Sequence, residues 1–272
     1  MLHEIVRLNE IYPFVQGGEI ELLCMQDPGG RGAYSRPMVV VVPGGAYRFV
    51  SDREGAPVAA DFFKEGYQVC VLKYLCCQEG ATYPEQLYEL AAAVDYVKKN
   101  AARLSVDPKS VFALGFSAGG HLVADYSLEA PTISNRASVP LDTDVAAVGL
   151  CYPVIDDHDE SFDNLLCGYE GTEKAALKKS LRLSSLVTKD TPPTFLWTTA
   201  EDRLVPPQNT LRYALALADH GVPYELHVYP KGGHGMSNGS MEINDDKEAA
   251  AILSVWPKDM ARFFRSYCKE KI

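Results

Sequence analysis

Six short apolar runs, rich in β-branched residues, punctuate the chain: MVVVV (38–42), QVCVLKY (68–74), SVFALG (110–115), AAVGLCY (146–152), TFLWTTA (194–200) and YELHVYP (224–230). They are continuous rather than alternating and are flanked by Gly, Pro or Asp, which predicts strands buried on both faces. Amphipathic stretches separate them. In 85–104, Leu87, Leu90, Ala91, Val94 and Val97 recur at spacings of three and four, and Thr82 with Glu85 offers a capping box at the start. Trp256, Met260, Phe263, Phe264 and Tyr267 repeat the helical period near the end, with Pro257 placed for a first turn. This alternation predicts an α/β fold, a mostly parallel sheet covered by helices on both faces. EIELLCM (19–25) is positioned to add an antiparallel edge. Residues 156–190, opening DDHDESFDNLLCGYEG, run longer and more polar than a simple crossover needs. They predict one or two short helices over the carboxyl edge of the sheet, either a lid or pocket wall or an ordinary surface insertion.

Composition narrows the class. The 272 residues are 47% hydrophobic and 23% charged, enough for one large core, so residues 1–272 are expected to form a single domain. There is no 20-residue apolar run, and MLHEIVRLNEIYPF lacks the basic start, apolar block and small-residue cleavage site of a signal peptide. The expectation is a cytoplasmic protein without a membrane partner. A formal net charge of -10 argues against nucleic acid, because binding phosphates needs a cationic face. Seven cysteines without CxxC spacing, Cys76 and Cys77 adjacent, read as reduced core residues rather than as a disulfide framework or metal site. The oligomeric state is not encoded in any of these features.

The densest chemistry lies in ALGFSAGGHLVA (113–124). Gly115-Phe116-Ser117-Ala118-Gly119 fits G-x-S-x-G where a predicted strand gives way to a predicted helix, the position of a nucleophile elbow. A serine hydroxyl becomes a competent nucleophile when a base takes its proton and an acid orients that base. Asp202, in TTAEDRLVP, follows the strand 194–200; His234, in YPKGGHGM, follows the strand 224–230. The order Ser, Asp, His places all three at strand carboxyl ends. Gly232, Gly233 and Gly235 leave the histidine loop room to fold back. Alternatives stay open: Asp202 as a cap for the helix in PPQNTLRYAL, His234 as a turn residue, and Asp156 or Asp157 as a rival acid. His121 reads as a packing residue. In VVVVPGGAYRF, the loop Pro43-Gly44-Gly45-Ala46-Tyr47 can present backbone N–H groups, with Gly45 and Ala46 as candidate oxyanion donors and Ala118 N–H completing the hole.

On these stretches the chain resembles the α/β-hydrolase superfamily. Within it the likeness is to small esterases related to hormone-sensitive lipase, and to their branch of acetyl and acetylxylan esterases. PGGAY, SDREG, YPEQLYELAAAVDYV, GFSAGGH, PPTFLWTTAEDRLVP and YPKGGHG carry the likeness, which extends over about residues 37–265. Pro43 stands where the larger family begins its oxyanion loop with histidine, and Tyr74-Leu75-Cys76 stands in place of its Tyr-Arg-Leu. The resemblance implies an α/β-hydrolase fold and a serine carboxylesterase without metal or organic cofactor. Its substrate would be a small ester with a short, acetyl-type acyl group, such as an acetylated xylo-oligosaccharide. An amidase, formamidase or peptidase using the same Ser-His-Asp set is the alternative. A receptor that has lost catalysis would lack a triad member or fill its oxyanion loop. In Ser51-Asp52-Arg53-Glu54, either Arg53 or Glu54 touches substrate hydroxyls, or Ser51 and Glu54 form a capping box for a helix near 55–65. Tyr47 and Phe49 are candidates for pocket walls or for core.

Overall fold

The computed structural model describes residues 1–27, 29–30, 34–156 and 158–268. The six apolar runs become β3 (Arg36–Val42), β4 (Gln68–Lys73), β5 (Val106–Phe116), β6 (Val148–Cys151), β7 (Thr194–Thr199) and β8 (Tyr224–Tyr229). Two further strands precede them, β1 (Leu2–Arg7) and β2 (Glu19–Cys24). The described residues form one eight-stranded sheet in the order β1-β2-β4-β3-β5-β6-β7-β8. From β4 to β8 every pairing is parallel, whereas β2 joins β4 and β1 joins β2 antiparallel. The antiparallel edge expected at 19–25 is present, but β1 lies outside it. LHEIVR escapes the apolar pattern because its positions are largely exposed or half-buried, as suits an edge strand with charged residues.

Helices α1 (Ala56–Lys64), α2 (Glu85–Lys99), α3 (Ala101–Leu104), α4 (Ser117–Ala137), α5 (Asp159–Leu165), α6 (Gly171–Ser180), α7 (Gln208–Asp219), α8 (Lys247–Leu253) and α9 (Trp256–Arg265) fill the connections. Successive side chains of a strand leave opposite faces, so β3 serves two cores. Met38, Val40 and Val42 pack with Leu90, Val94, Leu122 and Leu217 of α2, α4 and α7. Val39 and Val41 pack with Phe62, Trp256, Met260 and Phe264 of α1 and α9. Phe112 stacks on Phe264 at 4.5 Å between centroids, fixing α9 against β5. Pro257 occupies the first turn of α9, where its missing N–H costs nothing.

The capping box expected from Thr82 and Glu85 does not form. Thr82 Oγ1 donates to the Leu165 carbonyl at 3.0 Å, and the Glu85 carboxylate accepts from the Gln16 N–H at 2.6 Å. The start of α2 is covered by other segments, so both side chains satisfy tertiary partners instead of their own helix.

Glu89, also on α2, is fully buried. One oxygen accepts from the Leu75 N–H at 2.9 Å, while Oε1 has no hydrogen-bond partner among the described residues. Burial raises its pKa from 4.5 to about 9. The folded state therefore holds a proton that the unfolded chain releases above about 4.5. Stability contributed by the protonated acid is complete below that pH and is lost as pH rises towards about 9. Glu89→Gln keeps an acceptor for Leu75 without a charge to bury. It is expected to raise the urea midpoint, by more at pH 8 than at pH 5. An equal shift at both pH values contradicts this assignment.

Candidate active site

The turn from β5 into α4 places Ser117 at the helix start with φ of +50°, a left-handed conformation unusual for a residue with a side chain. Its flanking glycines are required by close packing. A Cβ at residue 115 would collide with the Gly119 carbonyl, and one at residue 119 with the Val42 and Pro43 carbonyls of the neighbouring strand. Only hydrogens fit between helix and sheet here. Gly119→Ala must displace backbone and is expected to cost about 3 kcal/mol, read from the urea midpoint; a loss below about 1 kcal/mol would show that the elbow tolerates a methyl group.

Asp202 follows β7 and His234 follows β8, and the structure brings both to Ser117. His234 Nε2 lies 2.7 Å from Ser117 Oγ, and His234 Nδ1 lies 2.7 Å from Asp202 Oδ2. An ionised carboxylate only accepts, so Nδ1 carries the proton and Nε2 accepts from the serine hydroxyl. Asp202 Oδ1 accepts from the N–H groups of Leu204 and Val205 at 3.0 and 2.9 Å, which locks the buried carboxylate in orientation. It does not cap α7, whose N-cap is Pro207. Gly232 and Gly235 adopt φ of +112° and +76°, turning the loop so that His234 faces back over the sheet. Asp156 is used elsewhere: its carboxylate accepts from Ser184 N and Oγ at 3.1 and 2.7 Å. Asp157 lies outside the described residues.

Ser117 and His234 open into a cavity of about 240 Å³ that Gly45 and Ala46 also line. The Gly45 carbonyl accepts from the N–H groups of Arg48 and Phe49, closing the loop into a tight turn. Gly45, at φ of +127°, has no room for a Cβ against the Phe49 carbonyl. Ala118 follows Ser117 in the first turn of α4, where backbone N–H groups lack intrahelical acceptors and the helix end carries partial positive charge. Where the larger family has a histidine, Pro43 is held through its carbonyl by the Tyr74 hydroxyl at 2.9 Å.

Several candidates take other places. Tyr47 is no pocket wall: it is buried, and its hydroxyl lies 2.9 Å from His121 Nδ1. His121 Nε2 lies 3.0 Å from the Leu181 carbonyl, so Nε2 donates and Nδ1 accepts from Tyr47. Burial lowers the His121 pKa to about 4, keeping it a neutral packing residue that ties the loop of Gly45 to the 156–190 segment. Phe49 does line the cavity and is 55% exposed. Arg53 borders it too, but its guanidinium donates to the Ile243 carbonyl and Asn244 Oδ1 at 3.0 and 3.3 Å.

Glu54 does not form a capping box with Ser51; the turn Asp52–Glu54 has no side-chain cap. Its buried carboxylate accepts from the Gly44 N–H at 2.7 Å and the Tyr152 hydroxyl at 2.6 Å. Burial pushes its pKa up, and these two hydrogen bonds pull it down. The Tyr152 hydroxyl accepts in turn from the Ser237 N–H at 2.9 Å, and its ring packs edge-on against His234 at 4.9 Å. Glu54 thus braces the loop of Gly45 against the loop of His234. Tyr152 was not among the sequence candidates, although its place directly after β6 was a usable signal.

Helices α5 and α6 appear within 156–190 as expected, and His158 and Glu160 reach the cavity. Asn164 Nδ2 donates to the Ala46 carbonyl at 2.9 Å. The cysteines are free, but the reading of all seven as core residues needs correction. Cys24, Cys70, Cys76 and Cys151 are buried, Cys77 and Cys268 are half-buried, and Cys167 is exposed. No helix among the described residues is long and apolar enough to cross a membrane.

Comparison with known proteins agrees with this architecture. A family model described as BD-FAE matches residues 28–217. Endo-1,4-beta-xylanase B of Butyrivibrio fibrisolvens is 30% identical over 76% of this chain and 34% of its own length. The acetylxylan esterase of Xylanibacter ruminicola is 29% identical over 82% of this chain and 45% of its own. The chain thus spans between a third and a half of the length of these curated relatives. The solved carboxylesterase Cest-2923 of Lactobacillus plantarum WCFS1 is 29% identical and superposes with a TM-score of 0.83 over 98% of each chain. With a serine elbow at the carboxyl edge of a mostly parallel sheet, the chain belongs to the BD-FAE family, within the esterase branch of the α/β hydrolases.

Proposed function

We propose that this chain acts as one α/β-hydrolase domain and as a serine carboxylesterase that removes short acyl groups, acetyl foremost, from hydroxylated substrates such as xylo-oligosaccharides. The observation that carries the reading is the unbroken chain of 2.7 Å contacts from Ser117 through His234 to Asp202. Ser117 Oγ attacks the ester carbonyl while His234 Nε2 takes its proton; Asp202 stabilises the imidazolium. The N–H groups of Gly45, Ala46 and Ala118 receive the oxyanion, each contributing about 3 kcal/mol. His234 then protonates the departing alcohol, and water, deprotonated by the same imidazole, releases the acyl group as a carboxylic acid. As the acyl bond breaks, His234 returns that proton to Ser117 Oγ, so the substrate, water and these side chains account for every proton and no metal or organic cofactor is required. The short acyl group is supported by the small cavity, and the sugar alcohol by the acetylxylan esterase relative. In this reading His158 and Glu160 make the 156–190 segment a wall of the pocket.

Rates on p-nitrophenyl acetate, acetylated xylo-oligosaccharides, N-formyl anilines and dipeptide amides test the reaction class. Esters are expected to lead, and preference for the formyl anilides or amides would replace this reading by the amidase one.

A further inference from the structure

A second and larger cavity, about 580 Å³, lies beside the site. It gathers residues from the N-terminal hairpin, the loop after the Gly45 turn and the carboxyl end of β4. Phe49 lines both cavities. The turn closed by Arg48 N–H and Phe49 N–H on the Gly45 carbonyl therefore has two sides. Gly45 and Ala46 border the space over Ser117, while Arg48, Phe49 and Val50 border the larger groove.

The lining selects a ligand chemistry. Arg7, Arg48 and Lys73 are matched in number by Glu19, Asp52 and Glu79, so the groove carries no formal excess of either sign and does not favour a polyanion. The side chains of Arg48, Asp52 and Gln78, all exposed, make no hydrogen bond or ion pair with another described residue. They are thus available as donors and acceptors to a ligand. Phe49 presents an exposed ring at the junction, a flat apolar surface on which the carbon face of a pyranose can lie. The cavity beyond His158 and Leu204 differs. Its Asp156 is taken by Ser184 and its Lys178 by Asp163, and its aromatic residue, Phe162, is buried.

We propose that the larger groove is the subsite for the alcohol part of the substrate: a neutral oligosaccharide lies across Phe49 and is held by Arg48, Asp52 and Gln78 while its ester reaches Ser117. This rests on the esterase reading above and adds to it a binding site of defined chemistry.

The test uses p-nitrophenyl acetate and acetylated xylose, xylobiose and xylotriose as substrates of the full chain. For the wild type, kcat/KM is expected to rise from the monosaccharide to the trisaccharide. Arg48→Ala and Phe49→Ala are each expected to lower the ratio of the xylotriose value to the p-nitrophenyl acetate value by about ten-fold, the scale of one lost hydrogen bond to a charged group for Arg48 and of one lost apolar ring contact for Phe49. Titration of Ser117→Ala with unacetylated xylotriose is expected to show saturable binding that the added Phe49→Ala weakens by a similar factor. Unchanged ratios, or no dependence on chain length, with p-nitrophenyl acetate still cleaved through Ser117, overturn the groove and leave the esterase. Loss of ester cleavage specificity for Ser117 itself overturns the esterase reading, while the xylotriose titration still reports on the groove.

Discussion

Ser117→Ala is expected to lower kcat on p-nitrophenyl acetate by roughly four to six decades, with the fold retained. Alanine loses the nucleophile and the 2.7 Å contact to His234, but it keeps the Cβ that already sits in the left-handed turn. The cost to stability is therefore small, and circular dichroism with the urea midpoint separates folding from chemistry. A folded variant that retained wild-type turnover would remove the assignment of residue 117 as nucleophile. A fluorophosphonate probe gives an independent readout: it is expected to label the wild type and to leave the variant unmodified.

Asp202→Asn is expected to cost about four decades in kcat. The substitution is nearly isosteric, and the amide oxygen can still accept from Leu204 and Val205, so the turn after β7 stays in place. The amide NH₂ then faces His234 Nδ1. It donates where the carboxylate accepted, which moves the imidazole proton to Nε2 and leaves Ser117 without a base. Asp156→Asn is the control for the rival acid. It weakens the contacts to Ser184 and is expected to change activity by less than about ten-fold. A larger loss at residue 156 than at residue 202 would reverse the choice of acid.

How much was legible depended on how locally each feature is determined. Five of the six predicted strands, β3 to β7, are largely buried on both faces and so had to be continuous apolar runs, whereas YELHVYP, expected to be buried too, forms the edge strand β8 with mostly exposed or half-buried positions. The edge strand β1 needed no such run and gave no comparable signal. The serine elbow was readable because close approach of α4 to β3 demands glycine at residue 119 and leaves a trace in the chain. Both predicted capping boxes failed for a common reason. Thr82, Glu85 and Glu54 sit where other segments cover them, and each found a stronger partner far along the chain: Leu165, Gln16, and Gly44 with Tyr152. Local spacing cannot rank such partners. Tyr47 and Phe49, two residues apart in one loop, looked alike as aromatic candidates, yet one is buried against His121 and the other is 55% exposed.

By itself the amino-acid order determined the layered α/β architecture, the position of the tight turn at Ser117 and the arrival of Asp202 and His234 at strand ends. Periodicity, glycine placement and strand spacing are properties of neighbouring residues, and they survive without knowledge of the rest of the molecule. Folding alone decided that Asp202 rather than Asp156 meets His234, that Glu54 joins Gly44 to Tyr152, and that the N-terminal hairpin helps enclose a second cavity. Those outcomes are competitions among side chains brought together from distant segments. Burial and hydrogen-bond geometry settle them only once the sheet has placed every competitor within reach.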